Sequence, residues 1–137
     1  MNAFNENVIQ EFRANGGKVG GPFEGNKNLV LITTTGAKSG RAITSPLVYV
    51  ADGDRIVLIA SNGGADKHPA WYHNLRANPE LTVELGTETY TGKAEFTSGA
   101  ERAELYDRMV AVMPQFDEYR RNTTREIPVA VVHRQPA

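Results

Sequence analysis

Two stretches of the chain hold residue types that can grip a small charged molecule. Thr33-Thr34-Thr35-Gly36-Ala37-Lys38-Ser39-Gly40-Arg41 gathers three threonines, two glycines and two cations within nine residues. Glycines let backbone N–H groups approach an anion and adopt positive φ. Lys38 offers a point charge, and Arg41 a planar fork that suits phosphate or carboxylate. A nucleotide P-loop would need its Gly-Lys-Ser at the start of a helix, whereas a second strand follows here, which argues against triphosphate hydrolysis. By spacing alone the stretch fits a solvated hairpin turn as well as an anion clamp, because turns enrich for the same residues.

The second stretch, Ala60-Ser61-Asn62-Gly63-Gly64-Ala65-Asp66-Lys67-His68-Pro69-Ala70-Trp71-Tyr72, runs from a strand end through a polar loop into a helix start. A helix start presents free N–H groups and favours anions. Trp71 can wall a pocket or simply fill the core, and Lys67 and His68 can equally be a solvated helix end. His68 and His73 are five apart, which predicts different helix faces and no shared metal site. Ser61 lacks the glycine pattern of a nucleophile elbow. With hydrolytic and metal chemistry poorly supported, a redox reaction fits better, since a cofactor can carry the electrons while the protein binds and orients.

The elements that must position these stretches follow from periodicity. Phe4, Val8, Ile9 and Phe12 predict a helix within residues 1–15, stopped by Gly16-Gly17, and residues 16–28 read as a glycine-rich loop. Buried strands are expected at 29–34, 43–50, 55–60 and 127–133, and a hairpin at 81–85 and 90–96. Pro69 opens a short helix to Arg76, and Ser98-Gly99-Ala100-Glu101 reads as a capping box opening another. The segment after Pro114 is read as polar and aromatic, without an element. Mostly hairpin-joined strands with peripheral helices predict a mainly β (α+β) fold, a small antiparallel barrel at 29–134. At 137 residues, one domain over 1–137 is expected. Fifteen basic residues against sixteen acidic, a net charge of −1, favour neither nucleic acid nor anionic membrane. The absence of cysteine excludes disulfides and thiolate chemistry. No signal-peptide pattern is seen at the start, so the cytoplasm is the expected location. Peripheral membrane contact through the first helix is left open.

Taken together, the motifs resemble the deazaflavin-dependent nitroreductase family, whose members use coenzyme F420. The resemblance covers roughly residues 26–134. It is carried by Leu31 to Gly40, Pro46-Leu47, Ala60 to Ala65, His68 to Leu75, Ala77-Asn78-Pro79 and Arg125 to Val129. It implies a split β-barrel of the flavin-binding type and hydride transfer from the reduced deazaflavin to a quinone, a nitroaromatic or another small unsaturated acceptor. By the same resemblance Lys38, Ser39, Gly40 and Arg41 hold the cofactor phosphate, and Pro46 and Leu47 line the ring pocket. Ala60, Ser61 and Asn62 approach the ring, and Ala65, Asp66, Lys67, His68, Ala70 and Trp71 line the helix-start side. Ser61 is expected to orient the acceptor, with Tyr119 as the second catalytic group. Phe116 and Met113 stand where relatives active on bulky nitro compounds carry tyrosines, which leaves the acceptor pocket apolar. A non-catalytic F420-protecting protein and an FMN- or haem-type split barrel are the alternatives. A homodimer is left open, and neither a metal nor a nucleic-acid partner is expected.

Overall fold

A computed structural model describes residues 3–15 and 29–135. The expected 16–28 loop and the Gly16-Gly17 helix stop lie outside them. The chain runs α1 (Ala3–Ala14), β1 (Leu29–Thr35), β2 (Ala42–Val48), β3 (Val50–Asp52), β4 (Arg55–Ile59), a 3-10 turn (Asn62–Gly64), α2 (Ala70–Ala77), β5 (Glu80–Leu85), β6 (Glu88–Phe96), α3 (Gly99–Val112), α4 (Gln115–Arg121) and β7 (Val129–Arg134). All pairings are antiparallel, in the order β2-β1-β5-β6-β7-β4-β3.

Three strands are apolar on both faces because both faces are covered, so their sequences are continuous apolar runs rather than alternating ones. In β1, Val30 and Ile32 point into the barrel with Ile56, Leu58, Val83 and Val132, whereas Leu29 and Leu31 lie under Val8, Ile9 and Phe12 of α1. In β4 and β7, Val57, Ile59, Val129 and Val131 face outward beneath Leu105, Tyr106 and Met109 of α3 and Phe116 of α4. Trp71 and Leu75 of α2 join the barrel interior.

Two expectations need correction. The strand expected at 43–50 is two strands: β2 pairs with β1 through Ala42–Val48, and β3 pairs with β4 through Val50–Asp52. Continuing the β3–β4 register backwards would set Val48 opposite Ile59 and Pro46 opposite Ser61. Instead the chain leaves β4 at Tyr49 and crosses to β1. The two edges of the sheet are thus consecutive pieces of one strand, which makes the barrel a split one. The segment after Pro114 is a helix, α4, with Pro114 as its N-cap at φ −57°. A proline suits a helix start, and the Phe116–Tyr119 spacing buries one helical face. Ser98 does occupy the N-cap of α3, but its side chain makes no capping bond. Glu101 lies near Arg55 instead, at 3.9 Å.

Candidate functional site

The divergence of β2 from β4 opens a cavity of about 360 Å³, lined by residues 45–48 of β2 on one side and by Ile59, Ser61 and Asn62 on the other. Pro69, Ala70 and Trp71 at the start of α2 close one end, and Phe116 of α4 contributes a further wall. Phe116 is fixed from behind, because the buried Tyr106 hydroxyl donates to its carbonyl at 2.6 Å. Trp71 is both core and wall: it is 6% exposed and lines the cavity. Among the described residues the Ser61 hydroxyl has no hydrogen-bond partner, although the residue is 7% exposed. No buried side-chain nitrogen or oxygen among the described residues lacks a partner, so the Ser61 hydroxyl is an accessible one, open to whatever enters the cavity.

The glycine-bounded turn lies along the same strand. Gly36 N–H donates to the Arg41 carbonyl at 2.8 Å, and Gly40 N–H to the Gly36 carbonyl at 2.9 Å. Gly36 therefore closes the turn rather than offering its N–H outward. A Cβ there would stand 2.5 Å from Ser39 Oγ and 3.2 Å from Ile43 Cδ1, so a larger residue would make the Ser39 side chain turn away. Ser39 Oγ accepts from Arg41 N–H at 3.2 Å. Lys38 and Arg41 are exposed, and among the described residues neither side chain has a carboxylate partner. From Ala42 to Ser45, three residues of extended chain, the turn is separated from the cavity by roughly 10 Å.

Asn74 sets the turn against α2. It is 5% exposed, its Oδ1 accepts from Ala37 N–H at 2.9 Å, and its Nδ2 donates to Thr34 Oγ1 at 3.1 Å. Sequence reasoning did not single it out. An asparagine in the middle of an otherwise amphipathic helix, next to Leu75, was the available signal.

The loop from Ala60 to His68 is held by Arg125, which the sequence motifs include, like Asn74, without giving it a role. Its guanidinium donates to the carbonyls of Ala65 (2.9 Å), Ser61 (2.8 Å) and Ala60 (3.3 Å), and Nη1 lies 3.0 Å from His68 Nδ1. Because arginine only donates, His68 Nδ1 is the acceptor and its proton sits on Nε2. Desolvation pushes the His68 pKa below its ordinary value, and the nearby Arg125 cation and the His73 ring push the same way. His68 is thus a neutral ring stacked on Tyr72 at 4.3 Å, and it does not line the cavity. His68 and His73 were expected to face apart. Their rings meet at 5.8 Å, because His68 precedes the helix and is free of its periodicity.

Of the remaining expected site residues, Pro46, Leu47, Asn62 and Ala70 line the cavity with Ser61 and Trp71. Ala60 and Ala65 contribute carbonyls to Arg125. Asp66 accepts from the Thr123 hydroxyl at 2.8 Å, and the Lys67 carbonyl accepts from Asn62 Nδ2 at 3.2 Å. Lys38, Ser39, Gly40 and Arg41 form the exposed turn. Tyr119 does not line the cavity. Its Cα lies where a Cβ on Gly64 would come within 3.2 Å, and Gly64 has φ +85°, so only glycine lets α4 pack against the 3-10 turn here.

A slot walled largely by apolar side chains with an unengaged hydroxyl, beyond which the turn leading into β2 carries two cations without a carboxylate partner among the described residues, suits a flat ring carrying an anionic tail. The chain matches the F420H2-dependent quinone reductase family model over residues 5–134. It belongs to that family. Membership makes it an oxidoreductase whose cofactor is coenzyme F420. The resemblance read from the motifs was to the deazaflavin-dependent nitroreductases; the deazaflavin part stands, and the matching family carries the quinone name. The chain is 33% identical over 127 residues to an F420H2-dependent quinone reductase of Mycobacterium tuberculosis, covering 90% of this chain and 85% of that protein. A solved F420-H2-dependent reductase matches with 39% identity and TM-score 0.72, over 77% of this chain and 94% of its own. A second solved structure, described as a domain-swapped dimer, matches with 35% identity and TM-score 0.75 over 93% of both chains. The expected split barrel is the fold observed.

The donor set fits the cofactor. The slot volume lies within the 300–1,000 Å³ range of small-molecule sites, which suits a fused ring but leaves an extended tail outside along β2. Lys38 and Arg41 stand outside the slot, in the turn that leads into β2.

Proposed function

We propose that this protein transfers reducing equivalents from F420H2 to a quinone, with the ring in the slot between β2 and β4 and the phosphate on the 36–41 turn. The observation that carries the proposal is the pairing of a slot walled largely by apolar side chains and bearing an unengaged Ser61 hydroxyl with Lys38 and Arg41, which have no carboxylate partner among the described residues and stand in the turn that leads into β2. When bound, the reduced deazaflavin supplies the hydride. Pro46, Leu47, Trp71 and Phe116 exclude water from the slot. Lys38 and Arg41 hold the tail by charge-assisted contacts, with Ser39 and Gly40 shaping the backbone between them. Asn62 forms the loop wall, with Ala65, Asp66 and Lys67 in the loop behind it, and Ala70 opens the helix beside it. The Ser61 hydroxyl donates to the acceptor carbonyl oxygen as negative charge develops there. Tyr119, set behind Phe116, braces the loop through Gly64 rather than reaching the acceptor.

A nitro oxygen could take the Ser61 bond as a quinone carbonyl does, so small nitroaromatics are a second acceptor class. The wall at Phe116 lacks a hydroxyl that would hold a bulky one, and Met113, also without one, packs against the outer core beside it. The protein acts as a reductase and not merely as a store for F420, because Ser61 offers the acceptor a donor. No helix among the described residues is long and apolar enough to cross a membrane. The domain-swapped relative favours a homodimer.

The test is anaerobic titration with F420, followed by turnover of F420H2 with menadione and with a small nitroaromatic in parallel. Saturable binding with quinone-dependent oxidation is expected. Binding without turnover across both acceptor classes would refute the reductase reading, and a yellow preparation with an FMN spectrum would refute the cofactor.

A further inference from the structure

We infer that Arg125 is the positioning residue of this site, holding the Ala60–His68 loop in the one shape that presents Ser61 and Asn62 to the slot. The functional half of this inference rests on the proposed use of the slot for F420, while the structural half rests on geometry alone.

A guanidinium has five N–H donors in a fixed fork, and here all five are engaged. Nε bonds the Ala65 carbonyl, Nη1 the Ala60 carbonyl and His68 Nδ1, and Nη2 the Ala60 and Ser61 carbonyls. The acceptors are spread over nine residues of loop, yet one planar group 57–65 residues further along the chain spans them. No local interaction would hold the loop so. Asn62 sits at φ +49°, the one non-glycine residue with positive φ among those described, and Gly64 at φ +85°. Glycine takes such a φ freely, but a left-handed asparagine costs backbone energy that the surroundings must offset. The Pro128 carbonyl, which accepts from Ala60 N–H at 2.9 Å, fixes the loop's first residue from the same segment.

The fork has a chemical consequence as well. Arg125 forms no ion pair among the described residues; its neighbour Glu126 pairs with Arg102 at 3.5 Å instead. Its charge is met by carbonyl dipoles and a neutral imidazole. The carbonyls of Ala60, Ser61 and Ala65 are thereby engaged away from the slot, and a net positive charge stands directly behind Ser61. An electron-rich ring or a developing acceptor anion meets a hydroxyl backed by a cation, rather than a row of carbonyl oxygens.

Lysine keeps the charge but carries its three donors on one nitrogen, so it cannot span these acceptors. The test compares the wild-type protein with Arg125→Lys and with Arg102→Ala, which removes a similar arginine-to-carbonyl bond, to Ile127 at 2.9 Å, on the far side of the same segment. In the cofactor-free proteins, amide exchange at Asn62, Gly64 and Ala65 is expected to be at least tenfold faster in Arg125→Lys and unchanged in Arg102→Ala. F420 affinity, read by quenching of Trp71, the sole tryptophan, should fall at least tenfold in Arg125→Lys alone. In Arg125→Ala, methylguanidinium should restore part of the affinity and methylammonium none; this comparison also serves if Arg125→Lys does not fold. Wild-type exchange and affinity in Arg125→Lys would overturn the inference, as would equal rescue by the two cations. A wild-type protein that does not bind F420 would instead sink the cofactor assignment, leaving the exchange rates to decide the role of Arg125.

Discussion

Replacing Asn74 by alanine probes the join between the barrel and the anion turn. The Asn74 side chain makes two hydrogen bonds, to Ala37 N–H at 2.9 Å and to Thr34 Oγ1 at 3.1 Å. They differ in what they leave behind. Ala37 is exposed, so water recovers its N–H, and that loss costs about 0.5–1 kcal/mol. Thr34 is 2% exposed. Its stranded hydroxyl cannot recover a partner without moving, which costs about 1–3 kcal/mol. Together the substitution should remove about 2–3 kcal/mol, or roughly 8 °C in Tm at this chain length. Urea unfolding followed by circular dichroism measures it directly. In Thr34→Val the hydroxyl is gone already, so adding Asn74→Ala should cost about 1 kcal/mol less than it does alone, a coupling a double-mutant cycle isolates. F420 affinity should fall about fivefold, because the turn must then be ordered on binding. A loss below about 0.5 kcal/mol, or the absence of coupling to Thr34, would refute the view that this asparagine ties α2 to the turn.

Lys38→Ala with Arg41→Ala should weaken F420 binding at least tenfold, equivalent to about 1.4 kcal/mol or more, and flatten its salt dependence while leaving Tm unchanged; isothermal titration at two salt concentrations checks both. Ser61→Ala should lower kcat with menadione by about tenfold or more and leave the F420 dissociation constant within twofold, as read by stopped-flow kinetics and equilibrium titration. The lowered pKa of His68 gives stability a pH slope. The unfolded chain takes a proton as pH falls below about 6.5 while the native ring resists, so stability is fully present above that value and is lost as pH drops towards the lowered native pKa. His68→Asn keeps an acceptor near the Nδ1 position without titrating, and should flatten the fall in Tm between pH 7 and 5.

The barrel was legible where burial writes itself into composition. The runs Leu29 to Ile32, Ile56 to Ile59 and Val129 to Val132 are apolar on both faces, and glycine turns at Gly53 and Gly86 mark their hairpins. The slot side chains Pro46, Leu47, Ser61 and Trp71 were reached through a motif pattern rather than through spacing. What stayed hidden depends on contacts across the chain. Nothing local marks Tyr49 as the point where one strand changes partners, since both halves are equally apolar and extended. The helix after Pro114 is hidden because a proline ends one helix as readily as it begins the next. Arg125 and Asn74 bond residues 37 or more positions away, and an arginine or asparagine looks the same in sequence whether it holds a loop or faces water.

The change of partner at Tyr49 decides what kind of recognition this protein can evolve. β2 is an edge strand, and β4 has no β3 partner beyond Val57, so a ring seated there as proposed would meet backbone on both rims, which no substitution removes unless it introduces proline. Side chains along residues 45–48 and at 116 can then vary in bulk and reshape the acceptor's space, while the peptide groups that meet the ring stay the same. A lineage built on this seam can exchange oxidants by surface drift while its reductant remains constant.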